Sequence, residues 1–202
     1  MSHEIQKPID IEVPRNSSWA KLPAIGGVMA AVGLGATLVA ATGDQKARAM
    51  FSYLWAYEVV LSLALGALGF VLFEHTVRAA WSTVIRRLAE TAAMTLPVFA
   101  VLWLPIGIIG LHSIYPWTHE HDAILEKKRW FLSEGFFLGR AAAYFVIWIG
   151  LSWLLYSKST RQDALSPNSP EREALSRSMW RVSAAGIFLY GLTQSFQAID
   201  WM

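Results

Sequence analysis

Long apolar runs separated by short polar stretches set the plan of this chain. They occupy Leu22 to Thr42, Tyr53 to Phe73, Thr91 to Leu111, Phe136 to Tyr156 and Val182 to Met202. Each reaches the roughly 20 residues that a helix needs to cross ~30 Å of hydrocarbon at ~1.5 Å per residue. The pattern predicts an all-α, polytopic transmembrane helix bundle over residues 22–202, with five spans near 22–42, 53–73, 91–111, 136–156 and 182–202. The last run has no polar exit.

The polar stretches differ from one another. Residues 1–21 carry prolines and mixed charges with no apolar face, so they read as a cytoplasmic arm. They also lack the apolar core and cleavage site of a secretory signal, so the first span is expected to stay in the mature protein. The segment Glu74 to Glu90 places Val77, Trp81, Val84, Ile85 and Leu88 at helical spacing with Arg78, Arg86 and Arg87 on other faces, which predicts an interfacial amphipathic helix continuous with a neighbouring span. His112 to Gly135 is a long loop with Tyr115, Trp117 and Trp130 as interfacial aromatics. Ser157 to Arg181 reads as a further loop with a SPNSPERE turn and then a Ser/Arg-rich entry into the last span.

Composition agrees with a membrane setting: 54% of residues are hydrophobic, mean hydropathy is +0.38, and 16% are charged, against about 25% in an ordinary soluble domain. The charge is distributed unevenly. Eleven Lys and Arg fall in the N-terminal arm and the second and fourth loops, five in the first and third loops, and Arg140 lies inside the fourth run. Basic residues are retained on the cytoplasmic side, which predicts a cytoplasmic N-terminus. Being split among loops, they form no stripe of the kind that nucleic acid requires, so no nucleic-acid partner is expected.

The chain has no cysteine, which excludes thiolate-held iron–sulfur clusters, c-type haem attachment and a thiol nucleophile. His3, His75, His112, His119 and His121 do not face one another within spans as haem ligands would. The run His119, Glu120, His121, Asp122 has ligand chemistry suited to a divalent ion, but without helix or strand scaffolding it reads as a solvated loop. Neither a catalytic residue nor a metal or cofactor site is expected.

Ionisable groups at membrane depth are expensive, so those near the spans are the functional candidates. Glu58 lies in the second span, and Glu74 and His75 mark that span's wet end. Glu90 follows Arg86 and Arg87 at salt-bridge spacing and precedes the third span, which suits either a charge brace or a proton donor. Arg140 is expected to snorkel outward or to pair with an acid such as Glu134. Asp200, with Gln194 and Gln197 before it, forms a candidate polar file. Pro97 and Pro105, with Gly107 and Gly110 beyond, predict a kinked helix whose freed carbonyls need other partners.

The runs LSLALGALGFVLFEHTVRAAWSTVIRRLAE, TLPVFAVLWLPI, HSIYPWTHEHD, WFLSEGFFLGRAAAYFVIW and FQAIDWM resemble the ActF-type membrane subunit of bacterial alternative complex III, a quinol:cytochrome c oxidoreductase. Proteins of that type belong to the polysulfide-reductase membrane-subunit (NrfD-like) superfamily. The likeness spans about Phe51 to Met202 and is strongest in AAWSTVIRRLAE, YPW and DWM. It implies the N-terminal half of a ten-span subunit, truncated at the C-terminus, in the bacterial inner membrane. It also implies a cofactor-free chain whose partners are a paralogous ten-span subunit, an iron–sulfur subunit and multihaem cytochrome c subunits, with haem c and iron–sulfur clusters on those partners and quinone bound by the complex. Glu90, His75, Asp200 and Glu58 become proton-path candidates, with Arg86 and Arg87 as charge braces. A secondary transporter and a purely structural anchor subunit are the alternatives. A transporter would ordinarily show inverted repeats with broken helices in matching positions, and this chain shows none.

Overall fold

Each apolar run forms a helix, and several helices extend well past the run that predicted them. The structure, a computed structural model, describes residues 17–78, 83–119, 127–128, 130–166 and 169–202. Among these there is no strand. Most of the N-terminal arm and part of the third loop, including Glu120, His121 and Asp122, lie outside the described residues. The chain divides into two units, residues 1–49 and 50–202.

In the first unit a 3-10 turn, Ser18–Lys21, capped by the Ser17 side chain, leads into α1, Leu22–Ala40. No side chain of α1 is buried, although the helix is long and apolar enough to cross a membrane. Its Val28, Met29, Val32 and Val39 are all exposed.

Helix α2, Lys46–Val77, runs into the second unit and ends at Arg78, whose φ of 53° cannot continue a right-handed helix. Helix α3, Thr83–Ala93, follows; a two-residue break at Met94 and Thr95 then leads into α4, Leu96–Pro105. The rod continues through a π-helical turn, Ile106–Gly110, into α5, Leu111–Ile114. The helix expected over Glu74 to Glu90 is thus divided: its start closes α2, residues 79–82 with Trp81 lie outside the described residues, and the rest belongs to α3, which leads into the third span. Beyond a 3-10 turn, Pro116–Thr118, come α6, Glu134–Asp163, and α7, Pro170–Trp201. The loop expected over Ser157 to Arg181 is largely helical, because α6 runs to Asp163 and the Ser169 hydroxyl caps α7 from the Arg172 amide onward.

Among the described residues, four helices are long and apolar enough to cross a membrane: Ser18–Ala40, Lys46–Val77, Ile85–Ile114 and Glu134–Asp163. Helix α7 matches them in length, but its apolar half is diluted by Thr193, Gln194, Ser195, Gln197 and Asp200. Those polar residues have a reason to be there. The buried face of α7 carries Ser183, Gly186, Thr193, Gln197 and Trp201, whereas Phe188 and Ile199 point outward, 71% and 75% exposed. Outward-pointing Trp55, Leu63, Ile108 and Val146 repeat this distribution on the other rods. In water it would be costly; against lipid tails, exposed apolar side chains lose nothing, and polar groups gain by facing inward.

The rods of the second unit alternate in direction. One end gathers the close of α2, the start of α3, the close of α6 and the start of α7. The other gathers the early part of α2, the close of the third rod, the start of α6 and the close of α7. Gly186 allows close packing of three of them: a Cβ there would lie 2.9 Å from Leu151 and 3.0 Å from Leu72. The core near the second end is aromatic. Trp201 sits among Tyr57, Trp103, Phe145 and Trp148, with ring centroids 5.3 to 6.4 Å away.

Of the two prolines expected to kink the third span, Pro97 sits instead in the first turn of α4, where no helical amide bond is lost. Pro105 lies inside α4 and is followed by the π-turn; the Ile106 amide donates to the Trp103 carbonyl, three residues back. The Leu102 carbonyl accepts instead from the Tyr53 hydroxyl at 2.7 Å, and the Phe99 carbonyl accepts from Tyr57 at 3.0 Å.

Candidate functional site

Local sequence builds the first polar cluster. On α3, Arg86 and Arg87 stand four and three residues before Glu90, so one turn brings both guanidiniums to its carboxylate. The separations are 3.8 Å from Arg86 Nε and 2.8 Å from Arg87 Nη1. Because α3 packs on α6, Glu90 is only 2% exposed, with the buried Ser159 hydroxyl beside it. Arg87 also pairs with Asp163, the last residue of α6. Arg86 reaches across to Glu74 at 3.8 Å. The result is an alternating chain of charge, Glu74, Arg86, Glu90, Arg87, Asp163, linking three helices.

Glu74 was expected at a wet helix terminus, and that expectation is corrected: it is 3% exposed. Its burial follows from α3 folding back over the end of α2 and delivering Arg86 to it. His75 is half-buried, and its Nε2 is buried without a hydrogen-bond partner among the described residues.

The second polar group lies within the bundle. Gln197 Nε2 donates to both carboxylate oxygens of Glu58 at 3.1 Å, and Gln194 donates to the Gln197 amide oxygen at 3.3 Å. One helical turn before Gln197, Thr193 accepts from the buried Trp148 indole at 2.9 Å. With Ser183, and with Ser152 and Ser159 on α6, these residues give the bundle a buried polar lining. From Ser183 to Gln197 it covers about 21 Å of helix, at ~1.5 Å per residue.

The third group closes the far end. Arg140 Nε and Nη2 grip Asp200 bidentately at 2.7 and 2.9 Å, its Nη1 donates to the Phe131 carbonyl at 2.8 Å, and the Tyr144 hydroxyl donates to Asp200 at 2.7 Å. Arg140 thus pairs with an acid as expected, but the acid is Asp200 rather than Glu134. Glu134 opens α6 beside His112, 3.7 Å away, while Arg140 points along α6 toward the close of α7. Asp200, expected in a file with Gln194 and Gln197, is instead held by this pair, and the file leads to Glu58. Tyr115, just past α5, donates to the Trp201 carbonyl at 3.2 Å. Its phenol is pushed above the ordinary range first by burial and then by the negative charge of Glu58 and Asp200.

Of the site residues expected from sequence, Glu90, Arg86 and Arg87 come together with His75's neighbour Glu74; Glu58 and Asp200 lie in separate groups toward the other end. Sequence reasoning missed Tyr144, although it stands four residues after Arg140 on one helix face. It also missed Asp163 and Ser159, which lay in or near what read as the end of a span and a loop. His119 is exposed and the rest of its run lies outside the described residues; among the described residues no group of three or more His, Cys, Asp or Glu side chains could hold a metal ion. No family model matches the chain, and no curated protein is similar enough to count as a relative.

Proposed function

We propose that this chain is a cofactor-free integral membrane subunit of a respiratory quinol:electron-acceptor oxidoreductase of the alternative complex III type, carrying protons part of the way across the bilayer and docking the redox subunits. The observation that carries this reading is the buried polar lining of an otherwise apolar bundle, with ionisable groups at its ends: Glu90 and His75 at one, Glu58 toward the other. Carboxylates, hydroxyls and amides at membrane depth are costly to retain unless they form a path or a site. In this reading His75, whose buried Nε2 has no partner among the described residues, hands a proton inward to Glu90, whose carboxylate Arg86 and Arg87 hold in place. Ser159, Ser152, Ser183, Thr193 and Gln197 offer hydrogen-bond stations toward Glu58, with water bridging the intervals. Asp200, locked to Arg140 and Tyr144, serves as a brace in this scheme.

The setting proposed with it is the bacterial cytoplasmic membrane, with the N-terminus inside. The partners are a paralogous ten-span subunit, an iron–sulfur subunit and multihaem cytochrome c, with haem, clusters and quinone held outside this chain. The test is Glu90→Gln and Glu58→Gln in the intact complex, reconstituted in vesicles. Quinol oxidation that persists while proton translocation per electron falls supports the path. Undiminished translocation in both variants removes the path and leaves a structural anchor. Solute uptake without any redox partner would identify a secondary transporter instead.

A further inference from the structure

A cavity of about 450 Å³ opens where α2 ends and α7 begins, within the range that accommodates small ligands. Four arginines line it: Arg78, Arg86, Arg172 and Arg177. Two of them are matched by acids in its wall, Arg86 by Glu74 at 3.8 Å and Arg177 by Glu173 at 2.8 Å. The other two are not. Arg172 donates through Nη1 to the carbonyls of Gln162 and Leu165, and Arg78 lies over the Trp180 ring, 5.2 Å from its centroid; neither has a carboxylate within ion-pair distance among the described residues. The cavity therefore holds an excess of fixed positive charge, beside the first turns of α7, where the helix dipole adds more.

We propose that this cavity binds a phosphate anion, and that its source is the phosphodiester headgroup of an acidic phospholipid. Guanidinium groups match phosphate oxygens in geometry as well as charge. The depth is right for a headgroup: the cavity lies at the ends of membrane-length helices, and the part-exposed Trp180 beside Arg78 is an aromatic of the interfacial kind. Basic pockets between helix ends are a recurrent way of holding anionic lipid. The volume leaves room for a glycerol backbone beside the phosphate, which a free ion would not fill. Lipid held here requires no proton movement through the bundle.

The test uses protein extracted intact, with any subunits that accompany it, stripped of lipid and titrated with phosphatidylglycerol or phosphatidylcholine; bound lipid is counted by native mass spectrometry. Phosphatidylglycerol should bind more tightly than phosphatidylcholine, and Arg78→Gln should weaken it about fivefold, the effect of one arginine charge near a surface. Arg78→Lys should restore most of the loss. Arg177→Gln, which leaves Glu173 facing the cavity alone, provides a second variant if Arg78→Gln fails to fold. Competition by inorganic phosphate would identify a soluble phosphate as the source; its failure to compete supports the headgroup. Phosphatidylglycerol and phosphate affinities unchanged in the folded variants would overturn the proposal. Glu58→Gln, toward the other end of the bundle, should leave lipid affinity intact, so the two readings fail separately.

Discussion

Arg140 and Asp200 are joined across 60 positions of sequence, and their energetics can be worked from the geometry. The pair is bidentate at 2.7 and 2.9 Å, with side chains 12% and 4% exposed. Phe131 and Phe136 cover the guanidinium with ring centroids 4.0 and 4.8 Å from its carbon. Arg140→Met removes the cation and leaves Asp200 with the Tyr144 hydroxyl alone. An uncompensated buried charge costs about 3–5 kcal/mol. Asp200→Leu strands the guanidinium and should cost a similar amount. The double variant replaces a buried pair by apolar groups, which is often close to neutral, so it should be less destabilised than either single change. The assay is unfolding in mixed micelles by increasing denaturing detergent, followed by helical circular dichroism, and the cycle gives the coupling energy directly. Single-variant losses below about 1 kcal/mol that simply add would mean that the pair behaves as a solvated surface bridge, refuting its role as a buried brace.

Three further perturbations follow from the packing. Gly107→Ala places a methyl 2.6 Å from the Trp103 ring and 3.2 Å from Leu138, so the same unfolding assay should show a loss of about 1–3 kcal/mol from overpacking; no loss would mean the ring moves freely. Thr193→Val keeps the shape but leaves the buried Trp148 indole without its acceptor, a cost of about 1–3 kcal/mol that should largely vanish when Trp148→Phe is added. Tyr53→Phe deprives the Leu102 carbonyl of its donor and should cost about 1 kcal/mol, with faster amide exchange around the π-turn as the local readout.

The helices were legible because apolar runs of membrane length admit one regular structure in lipid, and the pairing of Glu90 with Arg86 and Arg87 was legible because its partners stand within one turn. Helix ends were less so. The stretch from Pro170 to Arg181 read as loop since it is charged, yet helix formation there needs only a cap and good formers, which Ser169, Glu171, Arg172 and Glu173 supply. Contacts between rods were not legible. Nothing local distinguishes Glu134 from Asp200 as the partner of Arg140, and the burial of Glu74 depends on the turn at Arg78 that brings Arg86 over it. The break in bonding at Pro105 was foreseeable in chemistry but not in its remedy, because Tyr53 donates from a different helix.

The widened turn at Ile106–Gly110 also fixes an angular phase. A residue removed there would leave a regular α-turn over nearly the same arc, whereas a residue removed from the regular helix beside it, with the widened turn kept, would rotate everything downstream by ~100°, the angle one residue subtends at 3.6 per turn. Leu111, Ile114 and Tyr115, now buried, would swing toward the lipid, and the phenol that reaches the Trp201 carbonyl would lose its reach. The bearing of the rod's last turn is thus set by the residue count of its regular parts, where length should tolerate change less well than side-chain identity, while the widened turn itself can give up its spare residue.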